Sequence, residues 1–317
     1  MFEKVTIIGL GLIGSSLARA IRASGIATII VAADNNKDVC AIVKKLGIAD
    51  EVTSDIRRSV SGSDLVIVAV PVGACANVAE QIGPSLKAGA VITDVGSVKQ
   101  GVIDALKPHL PSTVHLVPGH PIAGTEHSGP EAGFAELFHD RWCILTPLAE
   151  TDIRAVEKVT KLWEACGSKI EFMDPQHHDL VLGITSHLPH LIAYTIVGTA
   201  NQLEDDMKSE VIKFSASGFR DFTRIAASDP VMWRDVFLHN KTAVLEILQR
   251  FTEDLTALQK AIRRGDGKYL HDTFSSTRDI RRQIIDQGQA DYRAPGGLRQ
   301  EGTPPVEVPH KASGHSG

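Results

Sequence analysis

Cysteine is scarce, a basic excess is absent and no long apolar run occurs, and each lack removes a class of protein. The four cysteines, Cys40, Cys75, Cys143 and Cys166, lie far apart and form no C-x-x-C. That spacing argues against a disulfide framework or a cysteine zinc site and suits free thiols in a reducing compartment. Lys and Arg number 33 against 38 Asp and Glu, so the chain is slightly acidic and presents no basic field to nucleic acid. Pro71 and Gly73 interrupt the longest apolar candidate, Leu65 to Val72, well short of the roughly 18 residues of a membrane span. Met1-Phe2-Glu3-Lys4 leads directly into a short β-type run, without a signal-peptide pattern. No internal repeat is visible. What remains, 43% hydrophobic and 22% charged residues over 317 positions, has the profile of a cytosolic enzyme. At about 150 residues per domain the length suggests two domains.

The first half alternates β-branched runs with helical stretches. Val5-Ile8, Thr28-Ala33, Leu65-Val70, Ala90-Asp94, Val114-Val117, Cys143-Thr146 and Lys169-Met173 read as strands. Continuous apolar runs mark strands buried on both faces, and their alternation with helices predicts an α/β Rossmann-type, doubly wound parallel sheet over residues 1–173. From residue 174 to about 290 apolar positions recur three and four apart, as in Ala243, Val244, Ile247, Leu248 and Phe251, which predicts an all-helical domain. Asp229-Pro230 reads as a helix start, and Arg263 to Gly267 as a turn between the last two helices. Residues 291–317 gather Pro and Gly with few large apolar side chains and are expected to be disordered.

Gly9-Leu10-Gly11-Leu12-Ile13-Gly14 follows the first strand and opens the first helix, the context a dinucleotide fingerprint requires. Gly9 permits the tight turn, Gly11 lets backbone approach a pyrophosphate, and Gly14 lets helix and strand pack closely. Asp34, at the end of the second strand, is placed to accept from ribose hydroxyls and to repel a 2′-phosphate, which favours NAD over NADP. Asn35 and Asn36 are neutral, and only Lys37 is available to a phosphate.

Ligands of open α/β sheets bind outside the carboxyl ends of the strands, so those ends are where chemistry is sought. Val70-Pro71-Val72 is expected to wall the nicotinamide side. Ser97 stands as an N-cap that also has a hydroxyl to offer substrate. His120 falls in a polar, glycine-framed loop after the strand at Val114-Val117. A neutral imidazole there can accept a proton from an alcohol as hydride leaves the same carbon, and a surface loop histidine is the alternative reading.

Taken in order, Gly9-x-Gly11-x-x-Gly14, Asp94-x-Gly96-Ser97-Val98-Lys99, Gly119-His120-Pro121-Ile122-Ala123-Gly124-Thr125-Glu126, Ser186-His187-Leu188-Pro189-His190, Asp221-Phe222-Thr223-Arg224-Ile225-Ala226 and Asp229-Pro230-x-x-Trp233-Arg234-Asp235 resemble the prephenate/arogenate dehydrogenase family, also called cyclohexadienyl dehydrogenases. The resemblance spans about residues 4 to 288. It implies an NAD-binding Rossmann domain, a helical dimerisation domain and a step of tyrosine biosynthesis. The implied reaction oxidises a ring carbinol, sends hydride to NAD and releases the ring carboxylate as carbon dioxide.

By this resemblance His120 is the catalytic histidine and Ser97 the serine that binds the ring hydroxyl. Arg224 is the carboxylate binder, with Asp221 at the edge of the site; on spacing alone these two read as a surface ion pair. His190 lines the pocket, His178 and His187 are lesser candidates, and Trp233 is an aromatic supplied across a homodimer; Glu126, by its chemistry, is placed to bind an amino group of the substrate or to hydrogen-bond within its loop, with a solvated loop carboxylate as the alternative reading. Leu10, Leu12, Ile13, Val70 and Pro71 join the three glycines, Asp34 and Ser97 around the cofactor. No metal is expected: the histidines have no H-E-x-x-H pattern or cysteine partner, and hydride transfer needs no Lewis acid. The chain is expected to be monofunctional, without an appended sensing module, and tyrosine to inhibit by competing at the substrate site. A β-hydroxyacid dehydrogenase with a lysine base in its helical domain and a non-catalytic NAD sensor are the rival readings.

Overall fold

Ile7 and Ile8 show why the strand runs are apolar throughout: neighbouring residues of one strand enter the two different cores on opposite faces of a single sheet. In the computed structural model, which describes residues 1–125, 127–202 and 217–284, that sheet has six parallel strands. They are β1 (Phe2–Ile8), β2 (Ala27–Ala33), β3 (Glu51–Thr53), β4 (Leu65–Val68), β5 (Val91–Asp94) and β6 (His115–Leu116), in the order β3-β2-β1-β4-β5-β6. The order reverses between β1 and β4, which opens a crevice at their carboxyl ends. The helices between the strands are α1 (Leu12–Ser24), α2 (Lys37–Leu46), α3 (Ile56–Ser59), α4 (Cys75–Ile82) and α5 (Gln100–Leu106). Leu65 and Ile67 of β4 join Ile7, Leu17 and Ile21 on one side, while Val66 and Val68 join Ile8, Ile82 and Ile92 on the other.

Three strand expectations change. β3 was not anticipated, because Glu51-Val52-Thr53 is too short and too polar to show a strand period. The run at Leu65 ends at Val68 instead of Val70, and Pro71 sets an extended backbone before the short 3₁₀ turn Val72–Ala74. The runs near Cys143 and Lys169 do not join the parallel sheet. They form β8 (Trp142–Leu145) and β9 (Lys169–Phe172) of a second, three-stranded sheet, with β7 (Gly119–Pro121) antiparallel to β8 and β9 parallel to it. An apolar run reports burial and carries no information about which strand is the neighbour. The crossover helix α6 (Ile153–Ala165) returns the chain to the first core through Val159, Leu162 and Trp163.

After β9 the chain turns helical. Asp174 accepts from the amides of Gln176 and His177, with Pro175 opening α7 (Pro175–Leu182) where a missing N–H is harmless. A π-helical stretch, Gly183–His187, joins α7 to α8 (Leu188–Asn201) as one rod. Such wide turns are a recurrent mark of functional sites. At 27 residues, with a mean hydropathy of 1.5 in its most apolar window, this rod is long and apolar enough to cross a membrane. It nonetheless carries three buried polar side chains, His178, Asp179 and His187. Further on are α9 (Ser217–Thr223), the 3₁₀ turn Arg224–Ala227, α10 (Pro230–His239) capped by Asp229 as anticipated, α11 (Lys241–Arg264) and α12 (Gly267–Ile284). Gly265, at φ +66, makes the expected turn between the last two. By internal contacts the chain divides into Met1–Thr256, which holds both sheets, and a second unit from Ala257. The segment 291–317 expected to be disordered lies outside the described residues.

Candidate active site

At the crevice, Gly9 has φ +93, and a Cβ on it would lie 2.5 Å from the carbonyl oxygen of Ala69. A Cβ on Gly14 would lie 1.9 Å from the carbonyl oxygen of Gly9, so α1 packs on the turn as the fingerprint requires. Around Gly11, by contrast, a Cβ would meet nothing within 4 Å. Gly11 is the N-cap of α1 and provides no side-chain cap, so the first amides of a thirteen-residue helix point into this open space. That is a ready anion site. Asp34 accepts from the amides of Leu10 (2.9 Å) and Asn36 (2.9 Å), which holds its carboxylate beside the glycine turn. An open helix N-terminus and an anchored acid together fit the pyrophosphate and ribose of a dinucleotide.

Next to this crevice, the ends of β5 and β7 are tied by one buried ion pair. Asp94 accepts from Gly96 N (2.7 Å) and Gly119 N (3.2 Å), and Lys99 Nζ donates to the Asp94 carboxylate and to Gly119 O (2.6 Å). Both side chains are fully buried. Ser97 follows Gly96 and His120 follows Gly119, so the pair fixes both backbone segments at once. Ser97 is not the N-cap it was expected to be: Lys99 occupies that position, without a side-chain cap. The amides of Lys99 and Gln100 donate instead to Asp179, at 2.7 and 3.0 Å. His120 is likewise no loop residue. It sits in β7 opposite Ile144 and is only 8% exposed.

A chain of side chains runs from His120 into the helical half. His120 Nδ1 is 2.9 Å from His178 Nε2, and His178 Nδ1 is 2.9 Å from Asp179 Oδ1. An ionised carboxylate only accepts, so His178 carries its proton on Nδ1 and accepts at Nε2. His120 must then donate from Nδ1, and its lone pair lies on Nε2. Burial, reinforced by His178, Lys99 and His187, holds the His120 pKa well below the ordinary 6.5. Burial also lowers His178 and takes His187 down to about 4. Asn240 Nδ2 donates to Asp179 O (2.8 Å) and to His187 Nδ1 (2.9 Å), which leaves the His187 proton on Nε2.

These buried, neutral imidazoles make stability depend on pH. Their native pKa values lie below 6.5, so as pH falls through that value the unfolded chain binds protons that the native state does not. Each such histidine removes about 1.4 kcal/mol of stability per pH unit, in the His187 case until pH approaches about 4. Urea unfolding is therefore expected to show stability falling from pH 7.5 to 5.5, with a shallower slope in His120→Asn. A flat profile would contradict neutral burial.

Trp233, 6% exposed, stacks on His190 with ring centroids 3.6 Å apart and lies 6.1 Å from His187. Within its own chain its stacking partner is thus His190. The buried nitrogens His187 Nε2 and Trp233 Nε1 have no hydrogen-bond partner among the described residues. Burial lowers the His190 pKa, the bond to Ser186 O raises it, and the nearby charge of Arg224 lowers it. Asp235 accepts from Gly73 N (3.2 Å) and is gripped by Arg234, joining the Pro71 turn to α10. Asp221 is exposed and pairs with Arg220 at 3.5 Å. Glu126 lies outside the described residues. Among the described residues no group of His, Cys, Asp and Glu is arranged to hold a metal.

Comparison with known proteins resolves what this arrangement is built for. Residues 17–172 match the prephenate dehydrogenase nucleotide-binding domain, and residues 174–276 match the prephenate dehydrogenase dimerization domain. The cyclohexadienyl dehydrogenase of Zymomonas mobilis is 44% identical over 281 residues, 89% of this chain and 96% of the relative. The chain belongs to the prephenate dehydrogenase family. Prephenate dehydrogenase from Aquifex aeolicus, solved with hydroxyphenyl propionate and NAD+, superposes with a TM-score of 0.83 at 35% identity, covering 90% of this chain and 99% of that one. Synechocystis arogenate dehydrogenase superposes at 0.74 with 26% identity, covering 89% and 99%.

Within this member of the family, His120, Ser97, His178, His187, His190 and Trp233 converge where the two halves of the first unit meet. Sequence reasoning gave no role to Asp94, Lys99, Asp179, Asn240 or Asp235. Asp94 and Lys99 stood inside a family motif without an assignment, and Asp179 adjoins His178, so a His-Asp dipeptide was available as a signal. Asp235 likewise closed a family motif without an assignment, and nothing local marks Asn240, whose partners lie 53 and 61 residues away.

Proposed function

We propose that the protein catalyses the NAD-dependent oxidative decarboxylation of prephenate, arogenate or both, giving 4-hydroxyphenylpyruvate or tyrosine. The observation that carries this reading is the anchored chain His120–His178–Asp179, which leaves a neutral imidazole with its lone pair on Nε2. The glycine turn, the open N-terminus of α1 and Asp34 would hold NAD, with Val70 and Pro71 toward the nicotinamide. Bound NAD supplies the hydride acceptor.

His120 Nε2 accepts the proton of the ring hydroxyl, and His178 and Asp179 hold the ring in the accepting tautomer. Ser97, on the segment pinned by Asp94, offers a hydrogen bond to the same hydroxyl. When the ring carboxylate leaves as neutral carbon dioxide its bonding electrons enter the ring, and the resulting phenolate recovers the proton from His120. No proton is released overall. Arg224, beside His190, is assigned to a substrate carboxylate, since guanidinium is always charged and binds carboxylate bidentately. Asp221 is assigned to the edge of the site and Glu126 to an amino group of the substrate.

The rival lysine-base chemistry finds no support: Lys99 is the one fully buried lysine among the described residues, and it comes from the Rossmann half, already paired with Asp94. Incubating the protein with each dienol and NAD or NADP tests the reading. NADH and carbon dioxide should appear in equal amounts and faster than NADPH; turnover of simple hydroxyacids but of neither dienol would reject it.

A homodimer formed through the helical half is part of the same proposal. It is supported by the matched dimerization domain and by the exposed apolar side chains Ile184, Val197, Leu238 and Leu245. Sedimentation as a monomer at micromolar concentration would remove it. The four cysteines are free thiols, which supports a cytoplasmic location; activity fractionating with membranes would oppose that.

A further inference from the structure

Lys99 holds both ends of the histidine chain. Its side chain donates to Gly119 O (2.6 Å), the carbonyl that precedes His120, while its own amide donates to Asp179 (2.7 Å), the carboxylate that anchors His178. Its counter-ion Asp94 takes the amide of the same Gly119, so both polar backbone groups of that residue belong to the pair. The side chain is wholly buried, and a buried ion pair is a poor device for stability alone: well-packed apolar side chains of similar volume usually serve as well or better. Its placement therefore calls for another role.

We propose that Lys99 is a positioning residue for proton transfer, setting the separation of His120 and His178 and keeping a fixed positive charge beside them. The inference rests on His120 being the proton acceptor. A second positive charge near Lys99 is disfavoured by Coulomb repulsion, so the lysine keeps the imidazoles in the accepting form. The other groups facing His120 are His178 on α7 and His187 in the π-helical stretch; the Cys143 thiol on β8 meets only the His120 backbone and burial keeps it protonated, while Asp94 and Asp179 stand behind Lys99 and His178. The two carboxylates act in the opposite sense to Lys99, so removing the lysine leaves their attraction for protons uncompensated.

The test compares wild type, Lys99→Met, Lys99→Arg and the double variant Asp94→Asn/Lys99→Met, with prephenate and NAD. Lys99→Met is expected to lower kcat at pH 8 at least tenfold, to move the acid limb of kcat/KM upward by at least half a pH unit, and to leave the Kd of NAD within about twofold. Lys99→Arg should restore the position of the limb. If Lys99→Met does not fold, the double variant removes both buried charges together, and it too should lose at least tenfold in kcat because Gly119 O has no donor. An unmoved limb in Lys99→Met, or a double variant within twofold of wild-type kcat, would overturn the proposal. Wild-type protein that turns over neither dienol would instead remove the functional reading itself, and that result is seen before any variant is made.

Discussion

Exchanging His120 for Asn is expected to lower kcat on the dienol by roughly a hundred- to ten-thousandfold, the usual worth of a positioned general base, while the Kd of NAD stays within about twofold. Asn matches the imidazole in its ability to donate to His178 Nε2, so the buried contact at 2.9 Å can persist. What it lacks is a basic nitrogen at the Nε2 position. The cofactor elements have their own support: the Leu10 amide of the glycine turn donates to Asp34, ahead of α1. Loss of turnover with retained NAD binding therefore separates the chemical step from a general collapse of the site. Equal losses in both, or near wild-type turnover, would show that the imidazole is not the proton acceptor.

Asp179→Ala is expected to have the largest effect on stability. One carboxylate accepts from His178 Nδ1 (2.9 Å), Lys99 N (2.7 Å) and Gln100 N (3.0 Å), and it therefore caps α5 as well as anchoring the histidine chain. Truncation strands the donors it served, at about 1–3 kcal/mol for each buried one. A loss of about 3 kcal/mol or more in urea unfolding at pH 7.5 is the expected result. The variant that remains folded should also be slow, because His178 is then free to adopt the other tautomer and no longer fixes the His120 proton on Nδ1. Loss of less than about 1 kcal/mol, with unchanged kcat, would mean that water or a shifted side chain replaces the carboxylate and that the chain of tautomers is not set from Asp179.

The parts of the molecule that were legible in the sequence are those specified by neighbours along the chain. Gly9, through its φ of +93, and Gly14, through its contact with the Gly9 carbonyl, are demanded within one strand-turn-helix unit, and Asp229 caps the helix that begins beside it. Pairing across space was not legible. The Cys143 run is almost as buried as the parallel strands and the Lys169 run is largely exposed, yet both join a different sheet, because periodicity reports faces and not partners. For the same reason His120 read as a loop residue: three residues framed by Gly119 and Pro121 carry no strand signal until β8 is laid beside them.

The candidate site divides in the same way. Residue types suited to chemistry, such as His120, Ser97, Arg224 and His190, could be singled out by motif and strand-end position. The residues that hold them could not, since Asp94, Lys99, Asp179 and Asn240 act through backbone groups and tautomers in the folded chain. Asp221 shows the converse limit. Its spacing from Arg224 suggested a pair, whereas its carboxylate faces Arg220 on the surface.

The pH dependence of kcat/KM bears most directly on the claim that His120 is a buried, neutral proton acceptor, because it reports ionisations of the free protein and free substrate. With wild-type protein, NAD and prephenate or arogenate, whichever is turned over, the rate is predicted to stay level as pH falls through 6.5, the ordinary histidine value, and to decline only well below it. An acid limb at or above 6.5, or the same limb persisting in His120→Asn, would contradict the account.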